Sequence, residues 1–183
     1  MKIFKQIGLF LSSFAPLFLL LIVKELTEII NQNWTFNFLN TFLLIILLLM
    51  LFWGIYILVN LLKEVKDYKK SSVKIVYKNN TTDQHFLGYF SLFVLFAISF
   101  EIEMYSMAIV FFMVLIMIAI VYIKNDMYFI NPLLNILGYS FYEIKYVNND
   151  GEIVDAMAFY KGSLNENVTY TLCTKYPNLF FLC

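Results

Sequence analysis

Four long stretches of the chain carry no charged residue: Ile7–Val23, Thr41–Leu62, Phe86–Phe100 and Tyr105–Ile123. An α-helix rises about 1.5 Å per residue, so about 20 apolar residues cross a hydrocarbon core of roughly 30 Å. The first, second and fourth stretches reach or approach that length, and Thr82–His85 extends the remaining one through the interface. A helix of a soluble bundle keeps a polar face. Phe42–Leu51 reads FLLIILLLML and has none. The pattern predicts an all-α polytopic membrane protein with four transmembrane helices, at about 7–23, 41–62, 86–100 and 105–123. Lys2 and Lys5 precede the first run as in a secretory leader, but the run exceeds the roughly 7–15 apolar residues of such a leader. It passes into Lys24-Glu25-Leu26 without a small-residue cleavage site, so it reads as a retained helix, kinked at Pro16.

The pattern changes after the fourth run. Asn131-Pro132 breaks a continuing helix, and Gly138 closes the short apolar stretch Leu133–Leu137. From Tyr139 to Val147 the residues alternate, with Tyr142, Ile144 and Tyr146 on one face and Glu143 and Lys145 on the other. Asp150-Gly151 then signals a turn before Glu152–Tyr160, so a β-hairpin is expected, with Val168–Cys173 as a third strand. The division expected is a transmembrane domain over 1–125, with a basic loop at 63–83, and a tail over 126–183 carrying a small β-hairpin or sheet. So small a sheet is marginal by itself and should lean on the membrane, a sister subunit or a partner.

Composition agrees with the pattern. Apolar residues make up 61% of the chain and charged ones 14%, with a mean hydropathy of +0.75, against roughly 45–50% and 25% in soluble domains. Charge adds orientation. There is no arginine, and the 13 lysines are unevenly placed. Lys63, Lys66, Lys69, Lys70, Lys74 and Lys78 lie between the second and third runs, four more follow the fourth run, and the turn between the third and fourth has none. Lysine-rich short loops stay in the cytoplasm, which places both termini and the middle loop on the cytoplasmic side. Outside would lie Glu25 with Glu28, Glu101 with Glu103, and the loop Asn31–Asn40 with Trp34, Phe36 and Phe38. Those rings suit the headgroup layer, or a sensing surface formed by Trp34, Phe36, Glu101 and Glu103.

The candidate chemistry is sparse. The four runs hold no Asp, Glu, Lys or His, the groups that mark proton relays and intramembrane catalysis. Their polar members are Ser12, Ser13, Asn60, Ser91 and Ser99, suited to bonds with helix backbones or across helices. His85 is the single histidine, Cys173 and Cys183 match no metal spacing, and no glycine-rich phosphate loop is present. The expectation is a non-enzyme with no cofactor, no metal and no direct nucleic-acid binding.

Residues 122–143, YIKNDMYFINPLLNILGYSFYE, resemble the tail signature of the membrane subunit of the Kiwa anti-phage defence system, the KwaA family. In that family a span ends in an Ile-Lys run, followed by Asn-Pro, a Gly-Tyr and a Tyr-x-Val-Glu strand. Here these fall at Ile123-Lys124, Asn131-Pro132, Gly138-Tyr139 and Tyr142-Glu143, the strand departing in detail because Ile144 follows Glu143. Gly88-Tyr89-Phe90 resembles the family as well. The resemblance implies a homo-oligomeric inner-membrane sensor or scaffold that recruits a cytoplasmic nucleic-acid-binding partner, KwaB. Docking is then expected at Lys66, Lys69, Lys70 and Lys74, with Tyr142 and Tyr146 as anchors. The rival from the residues is an oligomeric channel or pore-forming effector, lined by Ser12, Ser13, Ser91 and Ser99, that depolarises the membrane. Such a pore would lack any charged or carbonyl-rich filter.

Overall fold

The computed structural model describes residues 3–31, 38–66, 70–83, 88, 91, 93–96, 105–127, 130–148, 151–176 and 179–182. The helical part is built from α1 (Ile3–Ser13), α2 (Ala15–Asn31), α3 (Phe38–Lys66) and α4 (Tyr105–Lys124). The predicted second and fourth runs are thus helices α3 and α4. The kink expected at Pro16 is a break: α1 and α2 bend by 58° with Phe14 between them. Pro16 has no N–H to donate to the Ser12 carbonyl, and its ring crowds that carbonyl. The Phe14 N–H is shared between the carbonyls of Phe10 and Leu11, at 3.2 Å each.

The all-α, four-span expectation is overturned on two counts. Among the described residues two helices, α3 and α4, are long and apolar enough to cross a membrane, or three if the bent α1–α2 pair is one span. The run at 86–100 lies largely outside the described residues; within it 93–96 are helical, and Phe93 is buried. The second count is the sheet. Five strands, β1 (Lys70–Asn80), β2 (Ser140–Val147), β3 (Ile153–Tyr160), β4 (Thr169–Tyr176) and β5 (Leu179–Leu182), close into a barrel in the order β1-β2-β3-β5-β4.

The hairpin is as predicted, β2 pairing antiparallel with β3 and Val147 opposite Ile153. The third strand is β4. The strand that closes the barrel, β1, comes from the basic middle loop. Its first half, Lys70–Lys74, pairs with β4, and its second half, Lys74–Asn80, pairs with β2, with an irregularity between Ile75 and Tyr77. One strand therefore turns the barrel corner, as a bulge permits. All neighbours are antiparallel except β3 and β5. Five strands in this order share the arrangement of the oligonucleotide/oligosaccharide-binding barrel, a topology that by itself assigns no ligand.

Two cores follow from the strand alternation. Val73, Ile75, Tyr142, Ile144, Ala158, Leu164, Leu172 and Leu182 fill the barrel. The opposite faces of β2, β3, β5 and β4 present Phe141, Phe159, Phe181 and Cys173, which sit directly across from one another in the pairing register. These four join the helical core with Val65, Leu61 and Leu134. Phe159 packs 5.2 Å from Phe141 and 5.3 Å from Phe181, and Tyr139 meets Phe181 edge-on at 5.8 Å. This aromatic row is the joint between barrel and helices.

Within the helical part, α1 lies against α3 at nearly backbone distance. A Cβ on Gly54 would stand 2.7 Å from the Ser12 nitrogen and 2.8 Å from the Leu11 carbonyl carbon, and one on Gly8 would strike Ile57. Glycine is needed because backbone, which cannot rotate away, occupies the space. At the same end, the Lys5 ammonium donates to both oxygens of Glu64, at 2.7 and 3.1 Å. Cysteines replacing Lys5 and Glu64 should be bridged readily by a short bifunctional thiol reagent, because the two long side chains they replace meet at 2.7 Å. Adding Gly54→Leu should force α1 off α3 and abolish that cross-link, and an unchanged yield would refute the close approach.

Candidate functional site

At the α1–α2 break, four buried polar side chains meet: Ser12, Ser13, Tyr122 of α4 and Asn131. Both serine hydroxyls bond back to the Leu9 carbonyl, at 2.7 and 3.0 Å. Each serine has one proton, and each is spent on that carbonyl, so both hydroxyls act as acceptors toward their other partners. Tyr122 therefore donates its phenol proton to Ser13 at 2.8 Å. The Asn131 amide donates to Ser12 at 2.7 Å. The Asn131 carbonyl accepts the Leu133 N–H at 3.0 Å, capping the short helix α5 (Pro132–Ile136) that leads into β2. The node thus links the broken helix, α4 and the barrel's entry strand through satisfied bonds in a dry interior, where unpaired groups would be costly.

The sequence marked Ser12 and Ser13 as groups for bonding backbones and neighbouring helices, and they do both. They are buried within the subunit rather than arrayed on an outer face. Ser91 bonds the Gly88 carbonyl at 3.0 Å, and Ser99 lies outside the described residues. Asn131 read only as a helix breaker, and Tyr122 as the end of an apolar run. The signal for both lay in the Asn-Pro pair, because an asparagine before Pro at the first helical position is a cap.

The second feature is the barrel's outer β1–β2–β3 face. A groove of about 350 Å³ is lined by Tyr77, Glu143, Lys145, Asp155 and Met157 with the edges of Ile144 and Ala156. Lys145 faces Asp155 across the strands in a 3.2 Å ion pair, and Asn79 donates to Glu143 at 3.4 Å. The charges are of mixed sign, so the groove is no track for a phosphate backbone, which needs clustered cations.

The expected docking residues are scattered by this fold. Tyr142 is buried inside the barrel and donates to the Gly162 carbonyl at 3.1 Å, so it is a core residue and cannot anchor a partner. Tyr146 is half-buried against the same core. The expectation of exposed tyrosine anchors is corrected on this ground: alternation was read properly, but a closed barrel puts that face inward. Lys74 is exposed on β1, Lys66 ends α3, Lys70 begins β1, and Lys69 lies outside the described residues. The outer-face residues Trp34, Phe36, Glu101 and Glu103 also lie outside them. Glu25, expected in an exposed acidic patch, is instead buried on α2, and Glu28 is half-buried. Among the described residues no group of three or more His, Cys, Asp or Glu side chains is placed to hold a metal.

No curated protein and no solved structure matches the chain. A family model described as anti-phage protein KwaA matches residues 5–181, a range that takes in the broken helix, the polar node and the barrel. The chain belongs to the KwaA family of anti-phage proteins.

Proposed function

We propose that this anti-phage protein is a non-catalytic membrane sensor and scaffold that carries its barrel on the cytoplasmic side and recruits a cytoplasmic nucleic-acid-binding partner to it. The observation that carries the reading is mechanical continuity. Helix α3 passes into β1 with three residues between Lys66 and Lys70, and α4 reaches β2 through the Asn131 cap. A change of tilt or spacing among the helices is transmitted to the barrel along both routes. The Lys5–Glu64 pair sets the start of α1 beside the end of α3, and the lysine-rich segments lie at this same end, which supports cytoplasmic termini. Ile109, Met113, Ile116, Met117 and Ile120 on α4 are each more than half exposed, a surface suited to lipid or to sister subunits of a homo-oligomer. The burial of Ser12 and Ser13 disfavours the pore reading.

A reporter fused after Cys183 should be active only in a form that works in the cytoplasm, and a cysteine at Asn33 should label from the periplasm. Periplasmic activity of the reporter would overturn the orientation.

Docking is assigned to the β1–β2–β3 groove, with Tyr77 and Met157 as apolar anchors and the lysines around Lys74 for long-range attraction. Replacing Lys66, Lys69, Lys70 and Lys74 by Glu should slow recruitment and reduce its salt dependence. Tyr77→Asp with Met157→Asp should lower partner yield by about tenfold or more, the scale of losing one anchor. Co-purification from cells carrying both proteins is the measurement, and undiminished yield from both variants rejects the groove.

The node should matter for signalling more than for assembly. Asn131→Ala removes the cap and the Ser12 bond, at a cost of about 1–3 kcal/mol. The variant should still insert and retain its partner, yet lose protection in a phage plaque assay. Full protection would separate the node from function.

A further inference from the structure

Beside the node, the helix break opens an apolar cleft. One chamber, of about 240 Å³, is lined by Phe14, Leu17, Phe96, Phe111 and Leu115 among others, and a second, of about 180 Å³, lies against Ser13, Tyr122 and Ile130. Phe14, Phe93 and Ile118 border both chambers, so the two adjoin along α4. Ser13 and Tyr122 supply the side-chain hydroxyls, and each is occupied by the other. Water held in a cavity needs two to four polar partners, and the described lining offers only these two engaged hydroxyls, so the chambers favour an apolar occupant.

We propose that this cleft holds one acyl chain of a bilayer phospholipid and is a built lipid site. Three observations commit it to that occupant. The described lining is almost wholly apolar, and α4 is one of the two helices long and apolar enough to cross a membrane. The cleft follows α4 from Phe111 to Val121, roughly 15 Å at 1.5 Å per residue. That is half of a hydrocarbon core of about 30 Å, the depth of one leaflet. Finally, the cleft ends at Met127, Ile130 and Pro132, and Lys124, exposed one turn from Val121, stands where a headgroup phosphate would lie. The chain wedges between α4 and Phe14, the residue at the 58° break, so its presence, length or loss changes the angle of α1 to α2. This inference rests on the sensor reading, supplying the quantity sensed, namely the packing of the inner leaflet.

The test uses the full-length protein in phosphatidylethanolamine–phosphatidylglycerol vesicles containing a trace of phospholipid with a photoactivatable diazirine in one acyl chain. After transfer to detergent and illumination, label should persist at Leu115 and Ile118 and disappear from Met117 and Ile120 on the outward face of α4. Leu115→Trp fills the cleft. Each methylene displaced from an apolar site changes occupancy by roughly fourfold, so retained label should fall by about tenfold or more. Retention at Leu115 no greater than at Met117 overturns the site, and this readout on the unmodified protein is independent of whether Leu115→Trp folds. Labelling is blind to partner recruitment: retained label together with failed co-purification would sink the docking reading and leave the lipid site standing.

Discussion

The attachment of the barrel to the helices hangs on one aromatic row. Phe141, Phe159 and Phe181 come from three adjacent strands and lie in direct register, so a single layer of rings covers the part of the barrel that meets the helices. A small barrel is normally filled inside and polar outside. Here β2, β3 and β5 are buried on both faces where they meet the helices, and β3 is exposed on its outer face elsewhere, at Ile153, Asp155 and Met157. Large aromatic surfaces dominate the energetics of such contacts. The barrel is therefore held to the helices by packing as well as by the two chain connections, and it cannot turn freely on its stalks.

That rigidity gives the polar node its significance. Hydrogen bonds in a dry interior are directional and costly to leave unmade, so the Ser12, Ser13, Tyr122 and Asn131 set fixes one angle between the broken helix and α4. The neighbouring cleft is apolar and adaptable.

The sequence displayed some of this plainly and hid the rest for identifiable reasons. Uncharged runs longer than Phe42–Leu51 leave no alternative to helices, so α3 and α4 were legible. The proline at position 16 located the break. The β2–β3 hairpin was legible because Tyr142, Ile144 and Tyr146 alternate with Glu143 and Lys145 ahead of a glycine turn. What was missed was β1. Val73 and Ile75 flank Lys74 with the same two-residue period, yet the surrounding lysines made the segment read as a solvated loop, and its partners stand far along the chain. Local pattern cannot report a pairing such as Lys70 with Cys173. The misassignment of Tyr142 followed from the same omission: without β1 the sheet is open and its apolar face free, and with β1 that face becomes an interior.

The placement of β1 also sets an order of events during synthesis. This strand leaves the ribosome before α4, and the strands it must pair with follow only after α4 has been made. Until β2 and β4 appear, β1 is a strand with two unpaired edges, the kind of exposed segment that associates wrongly. The barrel can close only after α4 has been made. A chain cut short within α4 would thus lack a finished barrel, and with it the groove between β1, β2 and β3. Completion of the helical part therefore precedes formation of the barrel and of its outer groove.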